Sequence, residues 1–107
     1  MKEPEALILA IESSCDDMSV AILQGFEVLA NVIFSQDIHS YYGGVVPEMA
    51  SRAHIESIVP TIKASLKASN IKLNQIEAIA VTQGPGLLGS LLVGHSIAKS
   101  LSLALSI

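Results

Sequence analysis

The chain has a single cysteine, no tryptophan and only four aromatic residues, two Tyr and two Phe. One cysteine excludes an internal disulfide and fits a reducing compartment. Scarce aromatics leave a core built mainly from aliphatic side chains. Basic residues are few as well: six Lys and Arg against ten Asp and Glu give a net charge of −4. That balance argues against a free-standing nucleic-acid binder with its own basic patch, while a domain that meets RNA through another part of its protein stays open. The start, Met-Lys-Glu-Pro-Glu, carries acids where a signal peptide needs a basic run, so a cytoplasmic location is expected. The stretch 87–107 is long and apolar enough to raise a membrane question. His95 and Lys99 interrupt it and five serines dilute it, so it reads as a buried helix with no membrane role. What the chain does have is apolar bulk. Half of its 107 residues are hydrophobic, enough for the core of one small domain or of part of a larger one.

Periodicity divides the chain into six elements. Residues 6–11 (Ala-Leu-Ile-Leu-Ala-Ile) form a continuous apolar run, expected as a central strand buried on both faces. Residues 19–23 and 28–35 are two further strand candidates joined by a Gln24-Gly25 turn, and the three together predict an antiparallel meander. The period then changes. Ile55, Ile58, Val59, Ile62 and Leu66 recur at helical spacing and predict a helix over about 48–68 with those residues on its apolar face. Pro60 should kink or break it, and Ser69-Asn70 should close it. Residues 76–82 read as a fourth strand, Gln83-Gly84-Pro85-Gly86 as a sharp turn, and 87–105 as a second helix, apolar nearly all round and hence sandwiched. The order β-β-β-α-β-α invites another parallel strand after the second helix. The expectation is therefore that 1–107 is a single truncated lobe, the front of a longer fold.

Three segments carry residues that a simple turn would not need. The first, Tyr41-Tyr42-Gly43-Gly44-Val45-Val46-Pro47-Glu48-Met49-Ala50-Ser51-Arg52-Ala53-His54, sets two glycines and a proline beside a carboxylate, a guanidinium and an imidazole. With Pro47 opening the helix, Glu48, Arg52 and His54 are expected to share one helical face; the plainer alternative is a solvated first turn with an exposed Glu–Arg pair. The second, Glu12-Ser13-Ser14-Cys15-Asp16-Asp17, puts three carboxylates and two hydroxyls at the end of a buried strand. Hydroxyls and N–H groups there can cradle a phosphate, and a carboxylate can hold a hydrated ion or orient a nucleophile. An Asx-type turn capped by Asp16 is the competing reading, and Cys15 is expected as a small packed thiol. The third, Gly84-Pro85-Gly86-Leu87-Leu88-Gly89, offers close backbone approach and a helix N-terminus, a plausible anion seat without the spacing of a P-loop or a dinucleotide fingerprint. Gly94 is expected to be a packing site for a neighbouring helix. His39, His54 and His95 do not form a metal set by spacing; His39 reads as a loop residue and His95 as a core or interface histidine.

Taken in order, these segments resemble the front part of the TsaD family, the tRNA N6-adenosine threonylcarbamoyltransferases once labelled sialoglycoprotein endopeptidases. The matching residues are Ile11-Glu12-Ser13-Ser14-Cys15-Asp16-Asp17, Ser35-Gln36, Tyr42-Gly43-Gly44-Val45-Val46-Pro47-Glu48 with Ser51-Arg52-Ala53-His54, Thr82-Gln83-Gly84-Pro85-Gly86-Leu87, and Gly89-Ser90-Leu91-Leu92-Val93-Gly94. The resemblance implies a ribonuclease-H-like N-terminal lobe of the ASKHA fold shared by actin, Hsp70 proteins and sugar kinases. It is an α/β fold with a mixed sheet, whose first hairpin loop, here residues 13–17, is the phosphate loop. It also implies transfer of a threonylcarbamoyl group from threonylcarbamoyl-AMP to N6 of adenosine 37 in tRNAs reading codons that begin with A. The implied partners are TsaB-like and TsaE-like proteins in a bacterium. One divalent metal ion, of the iron or zinc class, is implied for the full-length protein, held by a His-x-x-x-His motif and an Asp beyond Ile107; no cofactor or metal is expected from these 107 residues.

On that resemblance Asp16 and Asp17 become catalytic candidates, and Glu12, Ser13, Ser14, Glu48, Arg52, His54, Gly84 and Gly86 substrate-binding candidates. Met18 stands where the family usually has Thr, removing a hydroxyl beside the phosphate loop. This much of the chain alone is expected to be inactive, and its apolar second helix to self-associate or to meet the missing part. Two alternatives stay open: a TsaB-like non-catalytic scaffold, which lacks the Gly-Gly-Val-Val-Pro-Glu and Ser-Arg-x-His segment, and a sugar- or acetate-kinase-type lobe. No protease pattern is visible.

Overall fold

A computed structural model describes residues 5–107. Its order is β1 (Leu7–Glu12), β2 (Met18–Gln24), β3 (Glu27–Phe34), a 3-10 turn (Ile38–Tyr42), α1 (Pro47–Ser69), a short 3-10 turn (Leu73–Gln75), β4 (Ala78–Val81) and α2 (Leu88–Leu105). The strands form one mixed sheet in the order β3-β2-β1-β4. β1, β2 and β3 make the expected antiparallel meander, and β4 returns parallel to β1 with Ile8 opposite Ala78 and Ile11 opposite Val81. All six main elements lie where periodicity puts them, within a few residues.

Alternation in the strands decides which side of the sheet is filled. Leu7, Leu9, Ile11, Met18, Val20, Ile22 and Ala30 are buried and pack with Ile58, Ile62, Ile76 and Ala98 under the two helices. The opposite face carries the cross-strand row Asn31, Ala21, Ala10 and Ala80, small or polar side chains left open to solvent. β1 is therefore buried on one face, with Ile8 and Ala10 only partly covered, and not on both as its unbroken apolar run suggests.

Pro47 starts α1 at its first position, where a missing N–H costs nothing. Asn70 ends it in the left-handed conformation, with its N–H donated to Lys67 O at 3.2 Å and that of Ile71 to Leu66 O at 3.1 Å. The helix runs through Pro60 without a break. Its buried side also differs from the expected one. Ile55 and Val59 are exposed, and the inward stripe is Ala50, His54, Ser57, Ile58, Thr61, Ile62 and Ser65. Small hydroxyl residues let the helix lie close to the sheet, and Thr61 and Ser65 satisfy themselves by donating to Ser57 O and Ile62 O of their own helix.

α2 is likewise buried on one stripe only, at Ser90, Gly94 and Ala98. By length and composition alone it is apolar enough to cross a membrane. It is not sandwiched: Leu88, Leu92 and Leu103 on its outer flank are exposed.

Candidate functional site

Two connections meet at the end of the sheet where β1 and β4 finish. Leu87 donates its backbone N–H to Ser14 O at 2.7 Å, fastening the glycine corner to the acidic hairpin loop. Gly86 makes this approach possible. A Cβ placed there would lie 2.6 Å from Ser14 O and 2.7 Å from Ser14 Cβ, so no side chain fits without moving the loop. Gly84 is different: a Cβ there would meet nothing within 4 Å, and the tight approach belongs to Gly86 alone.

The hairpin loop is anchored from inside as well. Ser13 is buried, donates its hydroxyl to Ser90 O at 2.7 Å and accepts the Gly94 N–H at 3.2 Å. A Cβ on Gly94 would stand 2.6 Å from Ser13 Oγ and 3.3 Å from Val81 Cγ2, so this glycine packs against the hairpin loop and the sheet and not against a neighbouring helix as expected. Ser13, expected to face a substrate, instead spends its hydroxyl on the start of α2. The local cap within the loop comes from Glu12, and not from Asp16. Glu12 accepts the Ser14 N–H and the Ser14 hydroxyl, each at 2.8 Å. Asp17 is exposed and Asp16 half-buried. Met18 is fully buried in the core of β2, so position 18 points away from the loop mouth. Cys15 is exposed and not packed; local desolvation first, then the Asp16 carboxylate, hold its thiol above its ordinary pKa.

Glu48, Arg52 and His54 do not share a face. Arg52 Nη2 donates to Glu48 Oε1 at 2.7 Å with both side chains 74% exposed, the plainer of the two readings of this turn. His54 is fully buried two residues further on, its Nε2 at 2.7 Å from Cys15 O. Four-residue steps place Glu48 and Arg52 together, but the step from Arg52 to His54 is about 200° around the axis. His39, read from the sequence as a loop residue, is also buried, inside the 3-10 turn, with Nε2 at 2.5 Å from Gln36 Oε1 and Nδ1 accepting the Val46 N–H at 3.0 Å. Gln36 in turn lies 3.3 Å from His54 Nδ1. Asp16, Gln36, Asp37, His39, Ser40 and Gly44 line a cleft of about 460 Å³ beside the loop mouth. Gln36 and His39 are the participants that residue-by-residue reading passed over. The signal available was their three-residue spacing just ahead of the Gly-Gly turn. His95 is half-buried on α2.

The loop meets the start of α2 through Ser13 and Ser14, while Asp16 lines the cleft with Gln36, Asp37 and His39; the first-turn N–H groups of α2 have no acceptor within the helix. Such a corner can seat an anion while a carboxylate takes up a proton next to it. Among the described residues no three His, Cys, Asp or Glu side chains gather as a metal-ligand set. The residues present do not fit a metal centre, and no chemical step is routed through one here.

A mixed sheet with an antiparallel hairpin, a parallel return strand and two helices on one face is the ribonuclease-H-like lobe of the ASKHA class. YeaZ from Pseudomonas aeruginosa superposes on this chain with a TM-score of 0.70 at 23% identity, over 94% of this chain and 40% of its own, a likeness of fold. A family model described as TsaD: tRNA N6-adenosine threonylcarbamoyltransferase matches residues 27–107, and the chain belongs to that family. Proteins named tRNA N6-adenosine threonylcarbamoyltransferase are 58% identical over 101 residues in Riemerella anatipestifer, 56% over 103 in Porphyromonas gingivalis and 54% over 107 in Christiangramia forsetii. These matches cover 94%, 96% and 100% of the chain. The chain spans about 30% of the length of these relatives.

Proposed function

We propose that this chain is the N-terminal lobe of a tRNA-modifying transferase that moves a threonylcarbamoyl group from threonylcarbamoyl-AMP to N6 of adenosine 37 in tRNAs reading ANN codons. The observation that carries the site reading is the 2.7 Å bond from Leu87 N–H to Ser14 O, which brings the acidic loop and the glycine corner to one mouth. The donor is a mixed acid–phosphoric anhydride, so AMP is a good leaving group, whereas an aromatic exocyclic amine is a poor nucleophile. The N6 nitrogen attacks the carbamoyl carbon, the bond from that carbon to the phosphate oxygen breaks, AMP leaves with the electron pair, and the surplus N–H proton goes to a carboxylate. In this reading Asp16 or Asp17 receives it, and the N–H groups at the start of α2, with the Gly84–Gly86 corner, hold the donor's anionic part or the developing oxyanion.

Ser14 and Glu12 shape the loop for this task, and Ser13 and His54 hold it from behind. Glu48 and Arg52 sit on an exposed rim where a tRNA phosphate can reach Arg52. A metal of the iron or zinc class, implied by the family for the full-length protein, would bind outside the residues described here. TsaB-like and TsaE-like proteins are the proposed partners. The apolar groove between α1 and α2, where Ile55 and Leu92 are exposed, supports a protein contact there. The proposed location is the cytoplasm, where tRNA is modified and a lone exposed thiol stays reduced.

Full-length protein carrying Asp16→Ala is the direct test. A fall in transfer rate of about 10²-fold or more supports a proton-accepting role, and a wild-type rate removes it. Arg52→Glu with unchanged tRNA affinity would return that residue to a purely surface role. Sedimentation of the 107-residue chain tests the exposed flank of α2: self-association is expected, and a clean monomer with low dye binding contradicts it.

A further inference from the structure

Gln36, His39 and His54 form a hydrogen-bonded chain whose polarity is fixed at both ends. The Cys15 carbonyl only accepts, so His54 Nε2, 2.7 Å away, carries a proton. At the other end the Val46 backbone N–H only donates, so His39 Nδ1, 3.0 Å away, is bare. Gln36 joins them. Its Oε1 accepts from His39 Nε2–H, and its Nε2 donates towards His54 Nδ1 and to Ala50 O at 3.2 Å. Rotating the amide by half a turn would set Oε1 against the Ala50 carbonyl and an N–H against the His39 N–H. Each end and the middle thus select one arrangement: both imidazoles as the Nε2–H tautomer with Nδ1 accepting. Both histidines are buried, so water offers no substitute partner.

We propose that His54, Gln36 and His39 are positioning residues, a one-way relay that locks the hairpin loop 13–17 to the Gly43-Gly44 turn and the start of α1. The relay crosses three separately encoded pieces of chain: the β1–β2 loop at Cys15, the segment after β3 at Gln36 and His39, and α1 at His54. Its three side chains spend their hydrogen bonds on one another and on backbone groups. Its effect passes through the Cys15 carbonyl, one residue from Asp16, while Leu87 holds the same loop through Ser14 O. Pinned at two successive carbonyls, by α1 and by the start of α2, the loop has one orientation in which to present Asp16. This inference rests on the proposed role of that loop in the transfer reaction.

The test uses the full-length protein labelled with ¹⁵N-histidine, and two variants. Long-range proton–nitrogen correlation at pH 8 is expected to find His39 and His54 each with the proton on Nε2; a proton on Nδ1 of either overturns the relay without any substitution. His54→Gln keeps a donor near the Nε2 position, whereas His54→Leu removes it. Transfer by the Leu variant is expected to fall by about 10²-fold in kcat/KM, the scale of a loop misplaced by an ångström, with the Gln variant recovering most of the loss. A Leu variant at the wild-type rate, or a Gln variant no better than Leu, overturns the proposal. Where the Leu variant does not fold, the tautomers and the Gln variant's rate decide. A parallel Asp16→Ala assigns the fault: a wild-type rate there as well removes the loop from the reaction, and a low rate there leaves the loop's role standing without the relay.

Discussion

Arg52 and His54 are two residues apart on one helix and have opposite fates. Arg52 forms an exposed ion pair with Glu48, water on every side. His54 is fully buried and bonded to a carbonyl 39 residues away. Surface pairs of the first kind contribute little, because solvent screens the attraction and two long side chains must be ordered to make it. A buried imidazole of the second kind matters through what its loss would remove: the partner of the Cys15 carbonyl and one of the two acceptors of the Gln36 amide nitrogen. Polar residues placed close together in sequence therefore say little about a site until the opposing chain is known. Here the opposing chain is the hairpin loop, and Ser13, Gln36, His39 and His54 near it are each matched to a partner, while the buried Ser90 hydroxyl beside Ser13 is not.

This contrast can be broken at several points. The largest effect is expected at Gly94, where any side chain strikes Ser13 and Val81. Gly94→Leu should lower stability by about 3 kcal/mol in urea denaturation, and a loss below about 1 kcal/mol would mean that α2 shifts freely on the sheet. His54→Leu should cost about 2 kcal/mol through the lost bond to the Cys15 carbonyl and the lost acceptor of the Gln36 amide. Arg52→Ala should change the urea midpoint by under about 0.5 kcal/mol; a cost equal to that of His54 would erase the distinction. The smallest effect is chemical. With its thiol pKa raised, exposed Cys15 should alkylate slowly near neutrality, and the midpoint of its pH–rate profile should lie above that of an unperturbed cysteine in a short peptide. The sign follows from the thiolate being the nucleophile: a raised pKa keeps the group protonated to higher pH. A midpoint at or below that of the peptide would mean that local desolvation and the Asp16 and Asp17 carboxylates do not act on the thiol.

The elements were legible because they are local. Period two, period 3.6, Pro47 at a helix start and Asn70 at a helix end are written within a few residues of where they act. The pairing of acidic loop and glycine corner is not local: it follows from β4 lying parallel to β1, which brings both connections to one end of the sheet. What was not legible depends on partners distant in sequence. β1 reads as buried on both faces because its apolar run carries no sign of which face is covered. Ile55 and Val59 look like core at helical spacing, yet α1 turns its serines and threonine to the sheet so that it can approach closely. Ser13 looks like a phosphate ligand until Ser90 and Gly94 meet it from 77 and 81 residues away. Cys15 looks like a packed thiol, but it sits at the tip of a loop whose carbonyl, and not its sulfur, is held inward.

Hydrogen–deuterium exchange on the full-length protein, titrated with a non-transferable analogue of threonylcarbamoyl-AMP, tests most directly whether the acidic loop and the glycine corner act as one mouth. Peptides covering 12–18 and 84–90 should gain protection together, with a single midpoint. Protection confined to one of them, or to neither while the analogue is bound, would contradict the account.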